Sequence, residues 1–135
     1  MREIVKTDLA PAPVGPYNQG VMASGRMLFV AGQICLDAKT GELVGSTVAD
    51  QTTKVLQNLT AVVKAAGAEL SDVVKTSVFL KDMNDFGAMN EVYGQYFDEE
   101  SAPARACVEV SRLPKDVLVE IECVAMVPDR NLYDV

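Results

Sequence analysis

The sequence predicts an α+β fold, a mixed β-sheet with two helices packed on one face. Three observations carry this. Residues 72–80 form a β-branched run, long and apolar enough for the interior of a sheet. Two apolar stripes recur at helical spacing: Val48, Thr52, Val55, Leu59, Val62 and Val63 in one, and Phe86, Met89, Tyr93 and Phe97 in the other. Two alternating segments, 102–110 and 117–122, flank a turn at 112–115. A helix with one apolar stripe needs a second layer to bury it, and two such helices on one sheet face satisfy both.

The elements follow in order. Residues 2–6 predict a short strand, and 20–23 and 27–34 predict two more around a Ser24-Gly25 turn. Thr47, with Asp50 three positions later, resembles a capping box and starts the first helix. Gly67 ends it, because glycine takes left-handed backbone without penalty. Asp82 is placed to cap the second helix, whose Met and aromatic stripe reads as core.

The last two segments read as a β-hairpin. Ala106, Val108 and Val110 point to the core, so Arg105, Cys107 and Glu109 point away. On the return strand Val119, Ile121 and Cys123 face the core, and Leu118, Glu120 and Glu122 face away. A turn at 112–115 then sets Cys107 near Glu120 and Arg105 near Glu122. A guanidinium, a thiol and carboxylates would share one wall. On these residues alone, a structural ion pair and a small hydrophobic thiol explain the pattern better than chemistry does.

Composition bounds the function. At 135 residues and 49% hydrophobic, residues 1–135 form one domain able to bury a core without staples. The three cysteines, Cys35, Cys107 and Cys123, are odd in number and lack CxxC spacing, which predicts free thiols in a reducing compartment. Residues 1–6 contain no apolar signal core and no run approaches membrane-spanning length, so a soluble cytoplasmic protein is expected. A formal charge of −7 repels phosphate backbones, and no basic stripe is interleaved with aromatics, so nucleic acid is not an expected partner. With no histidine, Ser-His-Asp and Cys-His catalysis are excluded and the commonest zinc ligand is missing, so no metal site is expected. No GxGxxG or P-loop follows a strand. Carboxylates, Arg, Tyr, thiol and backbone groups remain, and they suit hydration of a small molecule that is already reactive.

Ordered motifs along nearly the whole chain resemble the RidA/YjgF family. They are Ala10-Pro11-Ala12-Pro13-Val14-Gly15-Pro16-Tyr17 with Gln19-Gly20, Ala31-Gly32-Gln33-Ile34, Lys39-Thr40-Gly41-Glu42 and Ala65-Ala66-Gly67. Val74-Lys75-Thr76 through Phe86 follows, then Pro103-Ala104-Arg105, Leu113-Pro114-Lys115-Asp116 and Glu120-Ile121-Glu122. The resemblance implies a chorismate-mutase-like fold assembled as a homotrimer, with sites in the clefts between subunits. Apolar Leu118, Val124 and Met126 on the sheet face opposite the helices give that assembly a physical reason.

The resemblance further implies hydrolysis of enamines and imines, of the 2-aminoacrylate and 2-iminopropanoate type, to 2-keto acids and ammonia without a cofactor. Arg105 would hold the substrate carboxylate through a fork that Lys cannot reproduce. Glu120 would orient or deprotonate the attacking water. Cys107 is a wall of the site rather than a nucleophile, since only Arg105 is at hand to lower its pKa. Backbone at Gly32 and Ile34 would fix the substrate, and Tyr17 and Asn90 join the site by correspondence. Two positions depart from the family pattern: Ala31 stands where Ser is usual, beside the substrate-binding backbone, and Cys35 where Pro is common. Two rival readings are a noncatalytic binder of 2-keto or amino acids, which needs Arg105 but not Glu120, and an endoribonuclease or translation inhibitor, which must bind RNA despite the acidic charge.

Overall fold

The computed structural model describes residues 1–129. Strand β1 (Arg2–Val5) pairs antiparallel with β2 (Gly20–Ala23) as a separate two-stranded ribbon. The main sheet contains β3 (Arg26–Gln33), β4 (Val73–Leu80), β5 (Ala104–Glu109) and β6 (Val119–Val127), in the order β3-β6-β4-β5. Strands β4 and β5 run parallel, and β6 is antiparallel to both β3 and β4. Helices α1 (Val48–Ala65) and α2 (Phe86–Tyr96) cover one face, as expected for an α+β mixed sheet. The turn at 24–25 is present, but β2 pairs with β1 rather than with β3. Arg2 fixes the ribbon to the sheet by donating from Nη2 to the carbonyl of Val73 at 2.9 Å and to that of Ser101.

The core lies between the helices and the sheet. Val55, Leu56, Leu59 and Val63 of α1 are fully buried against Val73, Val78, Leu80, Val119 and Ile121. Truncating one such leucine to alanine costs about 2–5 kcal/mol. Leu56 takes the inward position that the helical stripe assigned to Val62, which is exposed. Thr47 caps α1, its hydroxyl accepting from the Asp50 N–H at 3.1 Å, and Gly67 adopts φ +87° beyond the helix end. Asp82 caps a short 3₁₀ turn, Met83–Asp85, which leads into α2.

The C-terminal segments do not form a hairpin. Strand β6 carries an unbroken apolar face, Val119, Ile121, Cys123 and Ala125, and is inserted between β3 and β4. Strand β5 has an exposed Ala106 and Val108, fits only an edge, and pairs in parallel with β4 through the α2 crossover. The chain travels from edge to centre over buried Leu113 and Val117. A 3₁₀ turn at Pro114–Asp116 bends it, with Lys115 and Asp116 at φ 55° and 57° and Arg112 bonded to Asp116 at 2.7 Å. Gln51 of α1 receives the incoming strand, its Oε1 accepting from the Leu118 N–H at 2.8 Å.

The face assignment on β5 is therefore reversed. Parallel pairing sets Arg105 beside Thr76 and Cys107 beside Val78, so both side chains lie on the helix side, while Ala106 and Val108 point to the open face. On β6 the assignment stands: Glu120 and Glu122 are on the open face. Leu118 packs against the core rather than on that face. Apolar open-face residues include Val124 and Met126, joined by Met27 and Phe29 at 54% and 71% exposure.

Candidate active site

Arg105 sits in a box of aromatic rings. Its guanidinium carbon lies 4.9 Å from the ring centre of Tyr93, 5.0 Å from Tyr17 and 5.5 Å from Phe86. Phe86, Asn90 and Tyr93 share one face of α2 at i, i+4 and i+7, which aims two rings and an amide at the cation. Nη1 donates to Asn90 Oδ1 at 2.6 Å, whereas Nη2 is buried with no hydrogen-bond partner among the described residues. Burial lowers the Arg105 pKa from its ordinary value, opposed by Tyr93, Cys107 and Tyr17. A guanidinium still stays charged at any working pH. Burial also pushes the Cys107 thiol up, and Arg105 only partly offsets this, so the thiol is protonated at neutral pH.

Tyr17 reaches the box because amide side chains shape its loop. Gln19 Nε2 donates to the carbonyls of Thr7, Ala10 and Pro11 at 2.8–3.1 Å, and its Oε1 accepts from the Thr7 N–H at 2.7 Å. Asn18, buried, donates to the carbonyls of Ala102 at 2.7 Å and Glu99 at 3.1 Å, which binds the loop to the segment entering β5. The Tyr17 hydroxyl accepts from the Val14 N–H at 3.1 Å, leaving its own proton free to donate. Gly15 closes the roof: a β-carbon there would come within 2.9 Å of Arg105 Nη2.

Glu120 belongs to a second group of residues. Strand β3 carries a bulge in which Ala31 and Gly32 together oppose Glu122, between the pairs Val30–Cys123 and Gln33–Ile121. The Glu120 carboxylate lies directly over Gly32, so close that a β-carbon at Gly32 would meet Oε2 at 1.9 Å. Burial, then the neighbouring Glu122, raises the Glu120 pKa above the ordinary carboxylate value. Gly32 and Ile34 line a groove of about 400 Å³ with Leu36, Asn58 and Val62. The Ile34 carbonyl is already taken by Asn58 Nδ2 at 3.0 Å and the Leu36 N–H at 2.8 Å.

The expected site residues thus fall into two separate groups. Arg105, Cys107, Tyr17 and Asn90 meet on the helix side of the β5 edge; Glu120, Gly32, Ala31 and Ile34 gather at the β3 bulge and the strand end. Within one copy, Arg105 and Glu120 lie on opposite faces of the sheet. Neither the Cys107–Glu120 nor the Arg105–Glu122 approach occurs, because β5 and β6 are separated by β4. Sequence reading missed Tyr93 and Phe86 as site residues, since an aromatic at helical spacing reads as core. It also passed over Gly15 and Asn18, whose signal was their place beside Tyr17 in the opening motif.

The family model described as Endoribonuclease L-PSP matches residues 7–127. The chain is 61% identical over 127 residues to a RutC family protein of Synechocystis, covering 93% of this chain and 97% of that one. It is 50% identical over 128 residues to the 2-iminobutanoate/2-iminopropanoate deaminase of Escherichia coli, covering 93% and 98%. This chain belongs to the RidA/YjgF family. The crystal structure of Escherichia coli TdcF with bound serine has a TM-score of 0.71 to this chain at 47% identity, covering 93% and 99%. Cys35 is fully buried in the core, and Ala31 is exposed at the bulge beside Gly32. The latter lies next to the carboxylate of Glu120.

Proposed function

We propose that this chain hydrolyses imines and enamines of 2-amino acids to 2-keto acids and ammonia, at a site that two copies of the chain build together. The observation that carries this reading is the desolvated guanidinium of Arg105, with Nη2 buried and unpaired inside three aromatic rings. A buried donor without a partner costs about 1–3 kcal/mol, and a carboxylate oxygen relieves that cost. The reading draws support from the relative named a deaminase and from TdcF, whose bound serine carries the same carboxylate beside a nitrogen.

Arg105 holds the carboxylate, so the adjacent C=N carbon is fixed a short distance away. The substrate reacts as the iminium, reached by protonation of an imine on nitrogen or of an enamine on carbon. Glu120 takes a proton from water as the water oxygen bonds to the C=N carbon, and the C=N π electrons move to nitrogen, giving a neutral carbinolamine. Glu120 returns its proton to the nitrogen; the C–N bond breaks, the hydroxyl proton leaves to solvent, and 2-keto acid and ammonia remain. A raised pKa suits Glu120 to both taking and returning a proton. Tyr17, whose hydroxyl proton is free, donates to the substrate carboxylate or to the leaving nitrogen. Cys107, protonated, is a wall beside Arg105.

Opposite faces in one copy become adjacent when copies assemble in a ring. The exposed Met27 and Phe29, with Val124 and Met126, supply the apolar open face for a homotrimer in which Arg105 of one copy meets Glu120 of the next.

The test couples a threonine dehydratase to this protein and follows imine decay. R105A and E120A are each expected to be inactive, and an equal mixture reassembled from monomers is expected to regain about a quarter of parent activity, because that fraction of ring contacts brings both native groups together. No regain on mixing would refute the shared site. No acceleration by the parent would refute the deaminase reading. A noncatalytic binder would instead keep carboxylate affinity in E120A with no turnover by the parent.

A further inference from the structure

Beneath Arg105 lies a buried polar pair, one of its members on a strand whose other buried side chains are apolar. Thr76 is the register partner of Arg105 on β4, and its inward neighbours on that strand are Val73, Val78 and Leu80. A hydroxyl there is costly unless bonded. Thr76 Oγ1 is 2.7 Å from the Tyr93 hydroxyl, and both residues are fully buried. The Tyr93 ring is thereby held at its hydroxyl by Thr76, packed against Phe97 with centroids 4.7 Å apart, and lies 4.9 Å from the Arg105 guanidinium carbon, nearer than either other ring.

We infer that Tyr93, anchored by Thr76, is a positioning residue for Arg105 that sets how tightly the site binds carboxylate. This rests on the reading of Arg105 as the carboxylate anchor. The aromatic face attracts the cation through its quadrupole, and desolvation strengthens that attraction. With Nη1 tied to Asn90, two contacts fix the plane of the guanidinium and therefore the direction in which Nη2 points. Burial pushes the Tyr93 phenol up to about 12, so the ring is neutral and acts without a charge of its own. A cation held from below by a bonded ring is pre-organised, and less of the ligand's binding energy goes into ordering it.

The experiment measures 2-oxobutanoate affinity by calorimetric titration, and KM and kcat in the coupled imine assay, on variants shown to be folded by circular dichroism. Tyr93→Leu is expected to weaken affinity about tenfold and raise KM by the same factor, with kcat changed less than about threefold. Thr76→Val and Tyr93→Phe remove the same hydrogen bond. Each is expected to cost about threefold, and the double variant no more than either alone. In an Arg105→Lys background, Tyr93→Leu should change affinity by less than about twofold, because its effect acts through the guanidinium. Parent-like affinity in folded Tyr93→Leu, or an undiminished tenfold loss in the Arg105→Lys background, would overturn the inference. If Tyr93→Leu does not fold, parent-like affinity in both Thr76→Val and Tyr93→Phe overturns it instead. Failure of the anchor reading is seen separately, as Arg105→Ala binding 2-oxobutanoate like the parent before any change at position 93.

Discussion

Replacing Gly32 by alanine tests the group of residues around Glu120 with a single methyl group. Its β-carbon would stand 1.9 Å from Glu120 Oε2, 2.9 Å from Cδ and 3.1 Å from Cγ, where ordinary contact begins near 3.4 Å. The carboxylate must withdraw by about 1.5 Å, and a misplacement of about 1 Å at a reacting group costs on the order of 100-fold in rate. Gly32 is not held at positive φ, and the atoms in the way are the far end of a flexible side chain. The fold therefore loses little, within about 1 kcal/mol. Urea unfolding reads the stability, and the coupled imine assay reads kcat/KM. Expected is a loss of about 100-fold in kcat/KM with the unfolding midpoint nearly unmoved. Full activity in Gly32→Ala would refute the placement of Glu120 at the reacting centre. A loss of several kcal/mol in stability would refute the view that only the carboxylate yields.

Two further outcomes follow from the same geometry. A base must be ionised, so kcat/KM should fall as pH drops through the Glu120 pKa, at a pH above the ordinary carboxylate range because burial and then Glu122 raise it. Removing the neighbouring charge with Glu122→Gln should move that acid limb to lower pH; a limb that stays in place would show that Glu122 does not act on the titrating group. Phe29→Glu alters a side chain that is 71% exposed, so the subunit should stay folded by circular dichroism. A charge in the apolar open face should nonetheless yield monomers in sedimentation and lower kcat/KM at least about 100-fold, and a fully active monomer would refute the two-copy site.

The elements whose signal is local were legible in the sequence. Thr47 and Gly67 bound α1 as their side chain and backbone chemistry dictate, and 73–80 is the internal strand its β-branched run required. Partner choice was not legible. Nine residues separate β5 from β6, and nothing in them distinguishes a hairpin loop from a path that carries β6 to the centre of the sheet. Once β5 is an edge strand, its small residues no longer mark the core side: Ala106 and Val108 face outward while Arg105 and Cys107 lie under α2. Arg105 and Tyr17 were singled out by the motifs that carry them and Asn90 by correspondence, and the structure brings the three together, whereas Tyr93 was hidden by its likeness to core. Its tie to Thr76 exists only once α2 is laid over β4.

The two groups of residues, around Arg105 and around Glu120, also differ in how far along the chain their parts must travel to meet. Arg105 finds Asn90 across 15 positions and Tyr93 finds Thr76 across 17, all inside one strand–helix–strand unit, with Tyr17 added from the N-terminal loop. Glu120 reaches Gly32 only after β3 and β6 have paired across about 90 positions, and closing so long a loop is entropically slow. The unit that grips the cation is thus the short-range part of the folding problem, and the seat of the carboxylate the long-range part. The short-range unit is therefore expected to form first, and hydrogen-exchange protection that appears in β4 and β5 before β3 and β6 would check that order.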